Sequence, residues 1–419
     1  MDKISVIVSC PIDTYSGYGG RSRDLVKALL KLEKYDVKVL SQRWGNTSFG
    51  FLKDHNEDEL QSIIIPKINS QPDVWIQITV PNEFQKIGKY NIGITAGIET
   101  TIAPAPWIEG CNRMDLILTS SSHSKKVLES STYQKQDKAG NTVGDVKLHK
   151  PVEILFEGLD LTKYFKTPSN FNLDGIKEEF CFLFVGHWLQ GDFGQDRKNV
   201  GYMIKSFLET FKNKLKQPAL ILKTGMGPSS YMTQEEILIK IDNIRKTVKG
   251  SLPNIYFLDG DLSDEEINNL YNHPKVKAMV SLTKGEGYGR PLAEFAAIGK
   301  PIIASGWSGH TDFLDKNFTK LIGGTLTKLH KSAVQKDVLL EESSWFTPDD
   351  SEVGKAYKEV YKNYNKILPL AKKQSHKIKT NFSFENMTEV LGEILDNNLP
   401  EFPKQIELKL PKLDLPKLQ

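Results

Sequence analysis

Cysteine is scarce in this chain of 419 residues: Cys10, Cys111 and Cys181 are few, odd in number and far apart. That speaks against a disulfide framework and a cysteine-based zinc site. Each lies in or beside an apolar run, where a buried, inert thiol is expected. Long apolar stretches are missing too. None approaches the length that spans a bilayer, and the opening run, Ile4 to Ser9, is too short for a secretory leader. A reducing, cytoplasmic setting is therefore expected. Net charge is nearly absent: 55 Lys and Arg stand against 52 Asp and Glu, formally +3. So small a sum neither requires nor excludes nucleic acid, because a local basic patch can sit inside a near-neutral total. The full G-x-G-x-x-G spacing is also lacking. Tyr15-Ser-Gly-Tyr-Gly-Gly20 follows the first strand-like run, but no acid ends the next run, where Ser41 stands. A dinucleotide site of that kind is disfavoured.

What is present is the balance of a soluble globular protein, 39% hydrophobic and 26% charged, long enough for two separate cores. The pattern alternates short β-rich runs with helical periodicity. Strands are expected at Ile4–Ser9, Val37–Leu40, Val74–Thr79, Ile92–Ala96, Leu116–Thr119 and Ile154–Gly158, with a helix carrying Leu25, Leu29 and Leu32. Residues 131–150 are polar and turn-rich and read as an exposed hairpin or loop. After a linker at 161–178 the alternation restarts. Strands are expected at Phe180–Val185, Ala219–Lys223, Ile255–Leu258, Ala278–Leu282 and Pro301–Ala304, and helices over Met203–Phe211, Ile237–Val248 and Glu265–Tyr271. Gly354–Leu370 and Glu385–Asp396 read as late helices. Such alternation predicts an α/β fold of two Rossmann-like, doubly wound domains facing a cleft. The expected units are 1–170, 171–345, a helical segment 346–399 crossing back to the first, and an extended Pro/Lys/Leu tail at 400–419.

The densest signal is Lys284-Gly-Glu-Gly-Tyr-Gly-Arg-Pro-Leu-Ala-Glu294. Glycines at 287 and 289 let backbone approach an anion, Pro291 suits a first helical turn, and Gly299 with Pro301 stops the helix. Glu286 and Glu294 have seven residues between them. This pattern resembles the E-x7-E signature of retaining GT-B glycosyltransferases of the family-four type. Val185-Gly-His-Trp188 followed by Arg197-Lys198 resembles that family's strand and diphosphate-binding lysine. Gly225-Met-Gly-Pro228 and Ile255-Tyr-Phe-Leu-Asp-Gly260 resemble its next turn and strand, and Phe156-Glu-Gly-Leu-Asp160 its passage into the linker.

The resemblance implies transfer from a nucleotide-diphosphate sugar to a hydroxyl acceptor, with retention and with neither metal nor other cofactor. Lys198 and Arg197 would neutralise the leaving phosphate. The backbone around Tyr288, Gly289, Arg290, Pro291 and Leu292 would supply N–H groups, and Gly287 would also bind the donor. Glu286 would hold sugar hydroxyls and Glu294 the ribose. Gly19 and Gly20 would face the donor phosphate across the cleft, and Gly309, His310 and Asp312 would line the donor site. The family often has Arg where this chain has His187, so the second phosphate cation falls to Arg197 or Arg290. Glu99, in Gly97-Ile-Glu-Thr-Thr101, fits either a sugar contact or a buried structural acid. Ser120 to His123 fit a helix N-cap. Asp259-Gly-Asp261 matches the metal-binding D-x-D literally, but the following Ser263-Asp-Glu-Glu reads as a capped helix start. The acceptor is a glycan or lipid precursor by default, or a hydroxylated base in DNA. The Lys-rich linker and tail and the 131–150 insert fit contact with such a polymer or a membrane surface, or plain solvated charge. A non-catalytic nucleotide-sugar-binding protein, or an epimerase or phosphorylase of the same fold, competes with this reading.

Overall fold

A computed structural model describes residues 3–136, 139–227 and 229–402. The first half begins with β1 (Ile4–Cys10), α1 (Gly17–Lys31) and β2 (Tyr35–Ser41), followed by the short helices α2 (Phe51–Asp54) and α3 (Asp58–Ser62). Then come β3 (Val74–Ile78), β4 (Tyr90–Thr95), α4 (Ala105–Arg113), β5 (Leu116–Thr119) and α5 (Ser122–Ser130). An exposed hairpin, β6 (Tyr133–Gln136) and β7 (Thr142–Val146), precedes β8 (Val152–Ile154). Six of these strands form one parallel sheet in the order β2-β1-β3-β4-β5-β8.

The second half runs β9 (Cys181–Val185), α6 (Val200–Phe211), β10 (Ala219–Lys223), α7 (Tyr231–Lys246), β11 (Ile255–Leu258) and α8 (Asp264–Asn272). It continues with β12 (Val276–Ser281), α9 (Arg290–Ile298), β13 (Ile302–Ser305) and β14 (Lys320–Ile322). Its parallel sheet has the order β11-β10-β9-β12-β13-β14. A hairpin of β15 (Gly324–Lys328) and β16 (Ser344–Pro348) follows, then α10 (Asp350–Lys362), α11 (Tyr364–Asn381) and α12 (Phe384–Asn398). Central strands such as Cys181–Val185 are apolar without alternation because helices cover both faces of the sheet. No helix among the described residues is long and apolar enough to cross a membrane.

The chain passes twice between the halves, and the two passages lie side by side. Leu159 N–H donates to Phe382 O and Phe384 N–H to Leu159 O, both at 2.9 Å. After the second passage α12 packs on α1. Met387, Leu391 and Leu395 enter the core built on β1 to β5, and Lys34 pairs with Asp396 at 2.7 Å. Residues beyond Leu161 run over α8, where Asn268 and Asn272 accept the Phe165 and Thr167 N–H groups at 3.2 and 3.1 Å.

Several sequence expectations need correction. The strand expected at Ile154–Gly158 lies earlier, at Val152–Ile154. The buried Arg21 guanidinium binds the Leu155 and Phe156 carbonyls at 2.5 and 2.7 Å, which takes them out of the ladder. The helix expected over Gly354–Leu370 is two, broken at Asn363 (φ −111°, ψ 23°), and the second continues through Pro369 to Asn381. The helix expected from Ile237 starts at Tyr231, set by the Ser230–Thr233 capping box. Helices α2, α3 and α4 and strands β14 to β16 were not anticipated. Most of the tail, 403–419, and Pro228 lie outside the described residues.

Candidate functional site

The C-terminal ends of both sheets face one cleft of about 480 Å³. Beyond β9 the chain turns at Gly186 (φ 156°) and winds to Asn199, whose left-handed backbone (φ 58°) starts α6. This puts Arg197 and Lys198 on the cleft wall. Lys198 Nζ bonds Glu286 Oε1 at 2.6 Å. Arg197 Nη1 donates to Glu286 Oε2 at 3.2 Å and Gly285 O at 2.9 Å, and lies 3.6 Å from Glu99 Oε1. One buried carboxylate thus holds two cations side by side. Burial alone would raise the Glu286 carboxyl, but Lys198 and Arg197 outweigh it and lower it to about 2.

The loop carrying Glu286 is fixed from behind and from across the cleft. Glu286 N–H donates to Ser308 Oγ, and Gly309 N–H to Glu286 O, both at 2.9 Å. Ser308 adopts φ 77°, a conformation costly for a residue other than glycine. A Cβ at Gly285 would lie 1.9 Å from Glu99 O, and one at Gly287 would lie 2.2 Å from Ala96 O. Only glycine lets the two halves approach this closely. Ser120 Oγ donates to Ala96 O at 2.7 Å and lies 3.2 Å from Gly287 O, while Ser121 caps α5.

Gly289 (φ 98°) starts α9 with no side-chain cap. Pro291 has no N–H, and the Leu292 N–H already donates to Gly289 O at 3.0 Å. That narrows the expected amide donors to Tyr288, Gly289 and Arg290. One turn on, Glu294 Oε2 accepts from Tyr271 OH at 3.0 Å and Oε1 from Arg290 Nε at 3.3 Å. Arg290 also pairs with Asp24 of the first half at 2.7 Å and lies 3.7 Å from Glu157. Burial raises the Glu294 carboxyl to about 7 despite Arg290.

The cleft wall therefore includes Lys198, Arg197, Glu286, Glu99, Glu294, His187 and the backbone from Gly287 to Pro291. Other candidates stand behind it. Leu292 packs in the core. Gly309 backs onto Gly287, with 2.0 Å between its notional Cβ and Gly287 O. His310 is fully buried, and its Nε2 lies 2.6 Å from Ser305 O. Asp312 Oδ2 accepts the Ser122 N–H at 2.7 Å. Gly19 packs on Thr14 and donates its N–H to Ser16 Oγ at 2.9 Å, and Gly20 lies beside the Arg290 guanidinium. Gly17 and Tyr18 line the cleft in their place.

Sequence reasoning missed Trp44, Glu157 and Lys223, which line the cleft, whereas Arg21 was expected to add charge beside the 15–20 loop. Trp44, after β2, stacks on Tyr18 with ring centroids 4.0 Å apart. Glu157 lies where the chain first leaves the β1–β8 sheet, Arg21 of α1 binds the carbonyls just before it, and Lys223 ends β10. Glu157 lies inside Phe156-Glu-Gly-Leu-Asp160, and that segment's resemblance to the family's passage into the linker is its one signal in the sequence. Asp261 also lines the cleft, whereas Asp259 is occupied by Ser229 and Gln234, and Ser263 caps α8 through a capping box with Glu266. Among the described residues no group of three or more His, Cys, Asp or Glu is arranged to hold a metal ion.

No known family's sequence profile matches this chain, and no curated protein matches it. Solved structures do. HepE of Anabaena, in complex with UDP and glucose, superposes with a TM-score of 0.62 at 12% identity, over 94% of this chain and 100% of that one. Sucrose-phosphate synthase from Thermosynechococcus elongatus gives 0.60 at 12% identity, over 94% and 99%. The α,α-trehalose 6-phosphate synthase of Burkholderia multivorans gives 0.56 at 8% identity, over 95% and 99%. At such identity the likeness concerns architecture: two parallel six-stranded sheets facing a cleft, the GT-B fold.

Proposed function

We propose that this chain is a glycosyltransferase of the retaining, family-four type that moves a sugar from a nucleotide-diphosphate sugar to a hydroxyl acceptor. The observation that carries this reading is the Lys198–Glu286–Arg197 cluster on the cleft wall, at the positions the motif resemblance singles out. Neighbours of the same fold whose structures hold UDP and glucose support it.

In the reaction the bond between the sugar's anomeric carbon and the phosphate oxygen breaks, and its electron pair leaves with the diphosphate. The acceptor oxygen bonds the same carbon, and its proton passes to the departing phosphate. Charge accumulates on the phosphate in the transition state, so cations fixed beforehand stabilise it more than the ground state. Lys198 and Arg197 supply that charge in place of a metal, and the amides of Tyr288, Gly289 and Arg290 add oriented N–H groups. Glu286 holds both cations in position and accepts from sugar hydroxyls. Glu294 accepts the ribose diol, as a carboxylate can. The acceptor enters from the side of Tyr18 and Trp44. Three buried, unpaired cysteines fit a reducing cytoplasm.

The test is a thermal-shift panel of nucleotide sugars and free nucleotides. A ligand that binds only the folded state raises the midpoint with the logarithm of its concentration. At least one nucleotide-diphosphate sugar should raise it for the wild type, and the rise should shrink in Glu294→Ala. A flat response across UDP-, GDP-, ADP- and dTDP-sugars would remove the reading.

A further inference from the structure

Behind the 194–199 loop, on the side away from the cleft, a second cavity of about 390 Å³ opens against the β15–β16 hairpin. It shares no lining residue with the cleft. One wall is Lys284, which is 3% exposed. Its ammonium has one long hydrogen bond, 3.4 Å to Thr347 Oγ1, and stands 5.4 Å from the Trp345 ring centroid. The nearby Asp196 carboxylate is the one acid whose charge reaches it, and that carboxylate also accepts the Val200 N–H at 3.2 Å. A buried ammonium with a single long hydrogen bond leaves donor capacity unmet, which is costly unless something else meets it.

A second observation comes from the same wall. Asn199 donates its Nδ2 to Leu282 O at 3.0 Å, but its buried Oδ1 has no partner. Lys328 and His330 line the rim, and Thr327 and Thr347 pair their hydroxyls at 2.7 Å. Of the acids nearby, Asp350 accepts the Tyr202 hydroxyl, and Asp192 lies 3.7 Å from His330. The cavity thus offers a buried ammonium with unmet donor capacity, an exposed lysine at its rim and one buried acceptor that needs a donor. An oxyanion that also carries a hydroxyl satisfies the ammonium and the acceptor alike.

We propose that this cavity binds a phosphomonoester. Its phosphoryl oxygens would meet Lys284 and Lys328, and a hydroxyl, or the acidic proton of the phosphate itself, would meet Asn199 Oδ1. The Lys284 N–H donates to Arg197 O at 2.8 Å, so a bound anion stands directly behind the cleft cations.

The test is thermal unfolding of the full chain in inorganic phosphate against sodium chloride at matched ionic strength, with three variants. Phosphate should raise the wild-type midpoint saturably by at least about 2 °C. Lys284→Gln and the exposed Lys328→Glu should each lose most of that rise, and Lys198→Ala should keep it. The exposed variant keeps the test open should Lys284→Gln fail to fold. Absence of a phosphate-specific rise, or its survival in Lys328→Glu, overturns the proposal. Its loss in Lys198→Ala overturns it as well, since the anion would then sit in the cleft.

Discussion

Glu286 and Glu294 are chemically the same side chain, eight positions apart, and their surroundings drive them in opposite directions. Glu286 meets two cations and stays ionised at any working pH, whereas burial of Glu294 leaves it titrating at about 7. Its proton is held more tightly in the folded chain than in the unfolded one. Its contribution to stability is therefore full in acid and declines as pH rises from the usual 4.5 through about 7. A ribose diol donates to the ionised form, so donor binding and proton release are linked. Donor affinity measured by calorimetry should rise between pH 6 and 8, and Glu294→Gln should bind more weakly with a flatter profile. A wild-type affinity that falls over that interval would contradict the role given to Glu294. At the neighbouring cluster, Glu286→Gln frees Lys198 and Arg197 from their shared anchor. It should lower kcat by about 100-fold or more and also lower the unfolding midpoint by several degrees, because two largely buried cations lose their shared carboxylate.

At the scale of elements, the loop from Thr283 to Gly289 is set by glycines that touch the opposite half. Gly285→Ala places a methyl group against Glu99 O, where neither backbone can yield without parting the halves. It should destabilise the chain by about 1–3 kcal/mol and raise the donor KM. Thermal unfolding with steady-state kinetics checks both, and an unchanged KM would show that the contact does not shape the site. This loop was legible from sequence because its glycines, Pro291 and two acids are local in the chain. Trp44 was not legible. It precedes no motif and reaches the cleft only because β2 lies at the sheet edge beside β1 and the loop folds over Tyr18. The strand misplaced at Ile154 and the helix break at Asn363 failed for a related reason. An arginine 134 residues away in sequence decides the first, and no proline or glycine marks the second. The 15–20 loop is legible in the sequence, but which of its residues turn inward is not: Gly17 and Tyr18 line the cleft, whereas Gly19 backs onto Thr14.

At the scale of the molecule, the two halves are joined by the paired passages at Leu159 and Phe382–Phe384, by Arg290 to Asp24, and by the glycine contacts at 285 and 287. The last helix belongs structurally to the first sheet. Leu391→Ala should therefore cost about 2–5 kcal/mol and be felt at β1 and α1, far from its own sequence neighbours. Hydrogen exchange of Val6, Val8 and Leu25 checks this: a loss of protection confined to α11 and α12 would refute it. Paired passages of this kind suit a hinge, and closure around a donor would exclude water from the cleft. The most direct test of the proposed activity is release of nucleoside diphosphate from a nucleotide-sugar donor, with and without added hydroxyl acceptors. Wild type, Lys198→Ala and Glu286→Gln are compared after each variant is shown to be folded. Turnover by the wild type and a loss of about 100-fold or more in both variants is the predicted result. Turnover in the variants equal to that of the wild type would contradict it.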